Sequence, residues 1–478
     1  MSTNKSIIDI HVHSTLKPYG NSFTVTSVPK NVSDLACIWH QDRSGGFDSL
    51  FENSLGISRY RQSDCTTLIE GNCKIAFVSL YPIEKGFFTI RQNYLRKLEK
   101  VLIQFASMLG RTRIEFARSE SYNYFEDLNK EYSYLRLLNE VAPNGGIHHY
   151  KIMSNPNEIL STANLFLVVT IEGCHVFCEG TDVENPENWR NLKQNVETVK
   201  QWSSPPFFVT FAHHFYNGLC THAKSFYDAS GRLLDQERGM RNPDFTKNDD
   251  LPPISDLGKE LIDLLLSKEN GRRILIDVKH MSKEARIAFY AICEAKYKED
   301  KFPIIWSHGA VDKDHDQEVN LDLELDALKI YETNGLIGIE LDQRILGYND
   351  NRFVKWFRSL FRRKSKKEFL EAAYFWEQVI LIAEFAYQNG FSENPWSCLA
   401  LGSDYDGVIN PLNSYRDAST MPNLRSHLIT YLNNYWENEA CIIPKNHNNK
   451  DAEKVIHDIM FQNALNFLNN HYVEDAIA

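Results

Sequence analysis

Short runs of consecutive apolar residues recur along the chain at 7–11, 74–80, 165–171, 207–212, 273–278, 303–307, 336–341 and 398–401. They are rich in Ile, Val, Leu and Phe and do not alternate with polar residues, the pattern of a strand covered on both faces. Between them lie segments compatible with helices, at 94–109, 188–202, 258–266, 283–299, 321–333 and 372–388. Strand and helix alternating in this way predict an α/β fold with a parallel sheet. Eight such strands are the number that closes a (β/α)₈ TIM barrel.

The chain has 478 residues. A barrel with insertions absorbs more than 400 residues as one unit, so residues 1–478 are read as a single barrel. The second and third predicted strands lie roughly eighty residues apart, too far for one crossover helix. Residues 82–160 are therefore read as a helical insertion, serving as a lid or an oligomer surface. The segment 215–253 is long and rich in Gly, Asp and Asn, which suits a loop over an active site.

Composition narrows the class. Hydrophobic residues make up 43% and charged residues 24%, which excludes a chain disordered throughout. The net charge is −11, and the nearest approach to a basic tract is Arg362-Arg363-Lys364-Ser365-Lys366-Lys367. That run reads as a solvated helix face, so no nucleic-acid partner is expected. The nine cysteines show no CxxC spacing, which points to buried thiols in a reducing compartment. The first apolar run already leads into His11 and His13, and no run is long enough to span a bilayer. A cytoplasmic protein acting on small molecules, without membrane contact, is the expectation.

Candidate chemistry sits at the strand ends. The first run ends in His11-Val12-His13, the third in Glu172, the fourth in His213-His214, the fifth in His280, the sixth in His308 and the eighth in Asp404. In a barrel those ends converge on one face, where active sites of this architecture lie. His-x-His on a strand directs both imidazoles to the same side, because side chains alternate with period two. His11 and His13 would then share one ion, Glu172 would bridge two, and His280 and His308 would complete the second. Nitrogen and oxygen donors suit Zn²⁺, with Mn²⁺, Fe²⁺ or Co²⁺ as alternatives. Two ions about 3.5–4 Å apart would generate a bridging hydroxide and polarise a carbonyl, with Asp404 as the general base and proton shuttle.

Each residue alone has a plainer explanation. A single His at a strand end is more often a hydrogen-bonded structural residue than a ligand, and Glu172 alone reads as a helix cap. The joint pattern is what points to metal, since charges and imidazoles closing successive apolar runs need partners. His148, His149, His175, His214 and His222 are left over and read as surface or loop residues. His213 and His214 would point to opposite sides of a continuing strand, so that only one faces the metals.

These segments resemble the membrane dipeptidase (renal dipeptidase, peptidase M19) family of the amidohydrolase superfamily. The matching motifs are Ile171-Glu172-Gly173, Asp277-Val278-Lys279-His280-Met281-Ser282, Ser307-His308-Gly309-Ala310 and Gly402-Ser403-Asp404-Tyr405-Asp406-Gly407-Val408. The resemblance implies an amidohydrolase-type barrel with a dinuclear zinc site, in which His11 holds the first metal and Glu172 bridges. His280 and His308 hold the second, and Asp404 shuttles the proton. It further implies that His213 contacts the substrate and stabilises the oxyanion, and that Asn320 lies at the substrate.

Two departures stand out. His13 occupies a place where the family usually has Asp, making the site less negative. Val319, in Glu318-Val319-Asn320-Leu321-Asp322, stands where the family places a carboxylate-binding Arg. Lys313 and Arg344 are the candidate replacements. The expected reaction is hydrolysis of an amide or peptide-like bond in a small substrate. A TatD-like phosphoesterase or nuclease, which also begins with His-x-His, and a catalytically silent metal-binding barrel are the alternatives.

Overall fold

The computed structural model describes residues 5–22, 31–42, 58–88, 108–144, 146–155, 158, 164–225, 238, 240, 251–300, 302–313, 317–347, 364–445 and 447–472. Nine strands lie among them: β1 (Ile7–Val12), β2 (Cys73–Leu80), β3 (Tyr150–Ile152), β4 (Leu165–Glu172), β5 (Phe208–Thr210), β6 (Leu275–Asp277), β7 (Ile305–Trp306), β8 (Leu336–Ile339) and β9 (Leu399–Leu401). Every pairing is parallel. The order runs β2-β1-β9-β8-β7-β6-β5-β4, and β2 pairs with β4. Eight strands thus close a (β/α)₈ barrel, and each predicted apolar run contributes one.

Closure explains the unbroken apolar composition. Every residue of β1 and of β4 is buried, because one face meets the barrel interior and the other the surrounding helices. The interior is packed tightly enough that a Cβ on Gly338 would stand 1.9 Å from the Ser307 carbonyl oxygen. Helices Leu192–Lys200, Asp256–Leu266, Lys283–Lys296 and Lys364–Gln388 precede β5, β6, β7 and β9. Ser255 and Ser282 begin the second and third of these by accepting the backbone N–H of Gly258 and Ala285.

Three elements differ from expectation. The predicted helix at 321–333 is divided into a π-helical turn, Leu323–Ala327, followed by Leu328–Glu332. Asp322 caps it through the N–H groups of Glu324 and Leu325. β3 was not anticipated. It pairs with Leu165, Phe166 and Leu167 at the start of β4, outside the closed barrel. The helix expected at 94–109 falls almost wholly outside the described residues, as does most of the 215–253 loop.

Between β2 and β4, helices Arg111–Arg118 and Tyr124–Arg136 pack on the barrel. Arg113 and Asp127 are fully buried and paired between them. None of the nine cysteines forms a disulfide, and seven are buried. No described helix is long and apolar enough to cross a membrane.

Candidate metal centre

The ends of six strands deliver their polar residues to one cavity of about 200 Å³. His11 lies within β1, and His13 follows its last residue. The carbonyl oxygen of His11 accepts from Asp404 N at 3.0 Å, and His13 N donates to the carbonyl oxygen of Tyr405 at 2.8 Å. Backbone pairing beyond β9 therefore carries Asp404 alongside both imidazoles. The carboxylate oxygen Oδ1 of Asp404 stands 3.5 Å from His13 Nε2 and 3.7 Å from His11 Nε2. Gly407 is required here, since a Cβ on it would fall 2.0 Å from that same oxygen.

Glu172 ends β4 at the centre of the cluster. Its Oε2 lies 2.9 Å from His13 Nε2 and 3.4 Å from His213 Nε2. Its Oε1 lies 3.3 Å from His11, 3.7 Å from His280 and 3.8 Å from His308, each measured to Nε2. The Nε2 atoms of His11 and His13 are 3.2 Å apart, and so are those of His280 and His308. Tetrahedral zinc with nitrogen ligands at 2.0–2.1 Å has ligand–ligand edges of about 3.4 Å. Each imidazole pair is spaced to share an ion, with one buried carboxylate between them. Three overlapping groups meet the geometric needs of a cation: His11, His13 and Asp404; His11, Glu172 and His308; and Glu172, His213 and His280. The donor set fits divalent metal.

The electrostatics point the same way. Burial opposes charge on Glu172, yet His213, His13 and His11 hold its carboxyl well below the usual range. Burial likewise opposes charge on His13, but Glu172 and Asp404 push it up to about 10. The carboxylates thus create a field that calls for positive charge at this point. Burial, reinforced by His213 and Lys279, keeps His280 neutral, and burial with His11 and Lys279 does the same for His308. Neutral imidazole is the state that ligates metal. Burial raises the Asp404 carboxyl, which favours a group that accepts and returns protons.

Outer partners orient the rings. His308 Nδ1 lies 2.9 Å from Ser307 Oγ, which donates to Asp277 Oδ2 at 2.6 Å. His11 Nδ1 lies 3.2 Å from Ser79 Oγ. Such contacts fix which ring nitrogen faces Glu172. The Asp404 turn is held by Asp406, whose carboxylate accepts from Lys17 Nζ at 2.8 Å, Ser63 N at 2.9 Å and Ser63 Oγ at 2.8 Å. Asp404, Asp406 and Val408 all adopt left-handed φ values of 59°, 68° and 66°. That conformation is strained for a β-branched Val.

All of His11, His13, Glu172, His213, His280, His308 and Asp404 therefore come together. His214 does as well, a correction to its reading as a surface residue. β5 ends at Thr210, so alternation no longer applies, and the rings of His213 and His214 lie 3.8 Å apart in the same cavity wall. His175 and His222 are buried too, the first with Nε2 2.8 Å from the Pro82 carbonyl oxygen and the second against the carbonyl oxygens of Ala223 and Arg238. Asn320 is not among the cavity-lining residues, and its Nδ2 donates to Gln317. Lys313 pairs with Glu377 away from the cavity, whereas Arg344 lines it.

Sequence reasoning missed Glu84, Lys279 and Glu340. Glu84 Oε2 lies 2.5 Å from His213 Nδ1 and accepts from Tyr81 Oη at 2.9 Å. Burial opposes its charge, but His213 outweighs that and holds Glu84 at about 2. His213 is raised in turn, Glu172 and Glu84 overcoming the effect of burial. Glu84 follows the second apolar run by four residues, and that strand-end position was the available signal. Lys279 and Glu340 line the cavity one residue before His280 and one residue after β8.

No family model and no curated protein matches the sequence. Among solved structures the fold matches a crystal structure described as the dipeptidase AC, a metallopeptidase of family M19. Identity is 11%, the TM-score 0.51, and the match covers 98% of this chain and 99% of that one. It also matches a metallopeptidase from Rhodobacter sphaeroides bound to a phosphinate mimic of the dipeptide L-Ala-D-Ala, at 11% identity and a TM-score of 0.50, with the same coverage. At this identity the likeness establishes a shared fold over essentially the full length.

Proposed function

We propose that the chain is a metal-dependent hydrolase of the M19 dipeptidase type, cleaving an amide or peptide-like bond in a small substrate. Two divalent ions, Zn²⁺ by donor chemistry, would be held by His11, His13, Glu172, His280 and His308. The observation that carries this reading is the pair of 3.2 Å imidazole spacings on either side of one buried carboxylate. Ions so held supply a water acidic enough to ionise near neutrality and polarise a carbonyl oxygen.

The remaining roles fall to the chain's own residues. Asp404, beside both His11 and His13, takes the proton of the attacking water and delivers it to the leaving nitrogen. His213, with Nδ1 held by Glu84, keeps Nε2 directed into the cavity as a hydrogen-bond donor to the oxyanion. The cavity of about 200 Å³ suits a small substrate, below the roughly 300–1,000 Å³ of sites for drug-sized ligands. A neighbour in fold bound to a dipeptide mimic supports the peptide-like class.

The test is hydrolysis of a panel of dipeptides, acyl amides and a phosphodiester by the purified protein supplied with Zn²⁺ or Mn²⁺. Amide cleavage is expected, is abolished by chelation, and falls by roughly 10²–10⁴ in kcat for Asp404→Asn with bound metal unchanged. Amide cleavage indifferent to both treatments contradicts the proposal. Preferential cleavage of the phosphodiester favours the phosphoesterase reading that His11 and His13 also allow.

A further inference from the structure

We propose that Asp277 is a positioning residue that fixes the tautomer of His308 through Ser307, and so sets the affinity of the ion that His280 and His308 would hold. The inference rests on the hydrolase reading and deepens it. Asp277 ends β6, is fully buried and belongs to none of the three groups that could hold a cation. Its two oxygens meet different donors. Oδ1 accepts from two backbone N–H groups, Lys279 N at 3.1 Å and Ser307 N at 3.0 Å. Oδ2 accepts from two hydroxyls, Thr210 Oγ1 and Ser307 Oγ, each at 2.6 Å. A hydroxyl has one hydrogen to donate. Ser307 gives it to the carboxylate, so its Oγ can only accept from His308 Nδ1, 2.9 Å away. The ring proton is thereby held on Nδ1, and the lone pair of Nε2 is left facing Glu172.

The same carboxylate steadies the other imidazole of the pair. By accepting from Lys279 N it anchors the residue before His280, whose φ of 67° is left-handed. A non-glycine residue keeps that conformation only where its surroundings impose it. Asp277 therefore reaches both rings of one pair, whose Nε2 atoms stand 3.2 Å apart. The other pair is built differently. His11 Nδ1 meets Ser79 Oγ at 3.2 Å, and Ser79 Oγ meets Thr170 Oγ1 at 2.8 Å, two hydroxyls of which either can donate. His13 Nδ1 is buried without a hydrogen-bond partner. Among the described residues, no carboxylate controls the Nδ1 atoms of His11 and His13, so the two ions would be tuned separately.

Asp277→Asn keeps the side chain's size and reverses the relay. The N–H groups of Lys279 and Ser307 require its carbonyl oxygen, which turns the amide NH₂ toward the two hydroxyls. Ser307 then accepts from the amide and gives its own hydrogen to His308 Nδ1, which places the ring proton on Nε2 and blocks ligation there. Competition between the protein and a chelator for Zn²⁺ reads the two affinities, and His308→Gln marks the step that belongs to its ion. Asp277→Asn is expected to weaken that ion alone, by about 10–100-fold. Ser307→Ala removes the relay without reversing it and is expected to weaken the same ion to a smaller extent, which also provides the test should the Asn variant fold poorly. Native affinity in either variant overturns the role of Asp277 while leaving the hydrolase reading intact, as does equal weakening of both ions or a larger loss in Ser307→Ala than in Asp277→Asn. A native chain that binds no Zn²⁺ overturns both.

Discussion

Glu131 is fully buried, and its two oxygens do different work: Oε1 accepts from Thr15 Oγ1 at 2.6 Å and Oε2 from Tyr81 N at 2.8 Å. Tyr81 in turn packs its ring edge-on to His213 at 4.8 Å. Burial, only partly offset by the bond from Thr15, pushes the Glu131 carboxyl up to about 7. The unfolded value is near 4.3. Between these two values the folded chain binds more protons than the unfolded one, so stability falls as pH rises through this window. The penalty is absent below about pH 4 and complete above about pH 7. Glu131→Gln removes the ionisation. The difference in stability between variant and native protein, followed by urea unfolding from pH 5 to 8, is expected to shift in favour of Gln by roughly 3 kcal/mol. A pH-independent difference contradicts this account. At this scale the sequence was legible wherever a residue closes an apolar run, as His11, Glu172, His280, His308 and Asp404 do. It was not legible for Glu131 or Glu84, because their partners, Thr15 and His213, lie 116 and 129 positions away.

The helix Tyr124–Arg136 shows what elements add to residues. It starts cleanly, with Asn123 accepting from Glu126 N, and turns Tyr124, Asp127, Leu128, Glu131, Tyr132 and Leu135 inward. Asp127 accepts from Arg113 Nη1 and Nη2, at 2.7 and 2.5 Å, and from Tyr19 Oη at 2.7 Å and Tyr122 Oη at 3.0 Å. One carboxylate thereby ties this helix to Arg111–Arg118 and to Leu16–Asn21, the short helix after His13. Asp127→Ala strands a buried guanidinium and is expected to lower unfolding stability by about 3–5 kcal/mol, with Arg113→Met in the same chain recovering part of the loss. A loss below about 1 kcal/mol, measured by urea unfolding, contradicts the coupling. The long barrel strands were readable because burial on two faces writes an unbroken apolar run. β3 was not, since three residues with Lys151 at their centre carry no such signal. The division of 321–333 into a π-helical turn and a short helix was hidden as well, because both periods bury nearly the same residues.

At the scale of the whole molecule, closure of the eight-stranded barrel places six ligand-type and acid–base side chains around the Glu172 carboxylate, from positions as far apart as His11 and Asp404. Barrel closure was the step that turned a list of strand ends into a site. It also brought in Lys279 and Glu340, which the apolar pattern marked only as strand ends without a role. We propose that this convergence serves to hold two cations. Elemental analysis of the purified native chain, after equilibration with Zn²⁺ and removal of the excess, tests it most directly. Two ions per chain are expected, falling below one when the central carboxylate is removed by Glu172→Ala in protein that remains folded. A native chain that retains no divalent ion would contradict it.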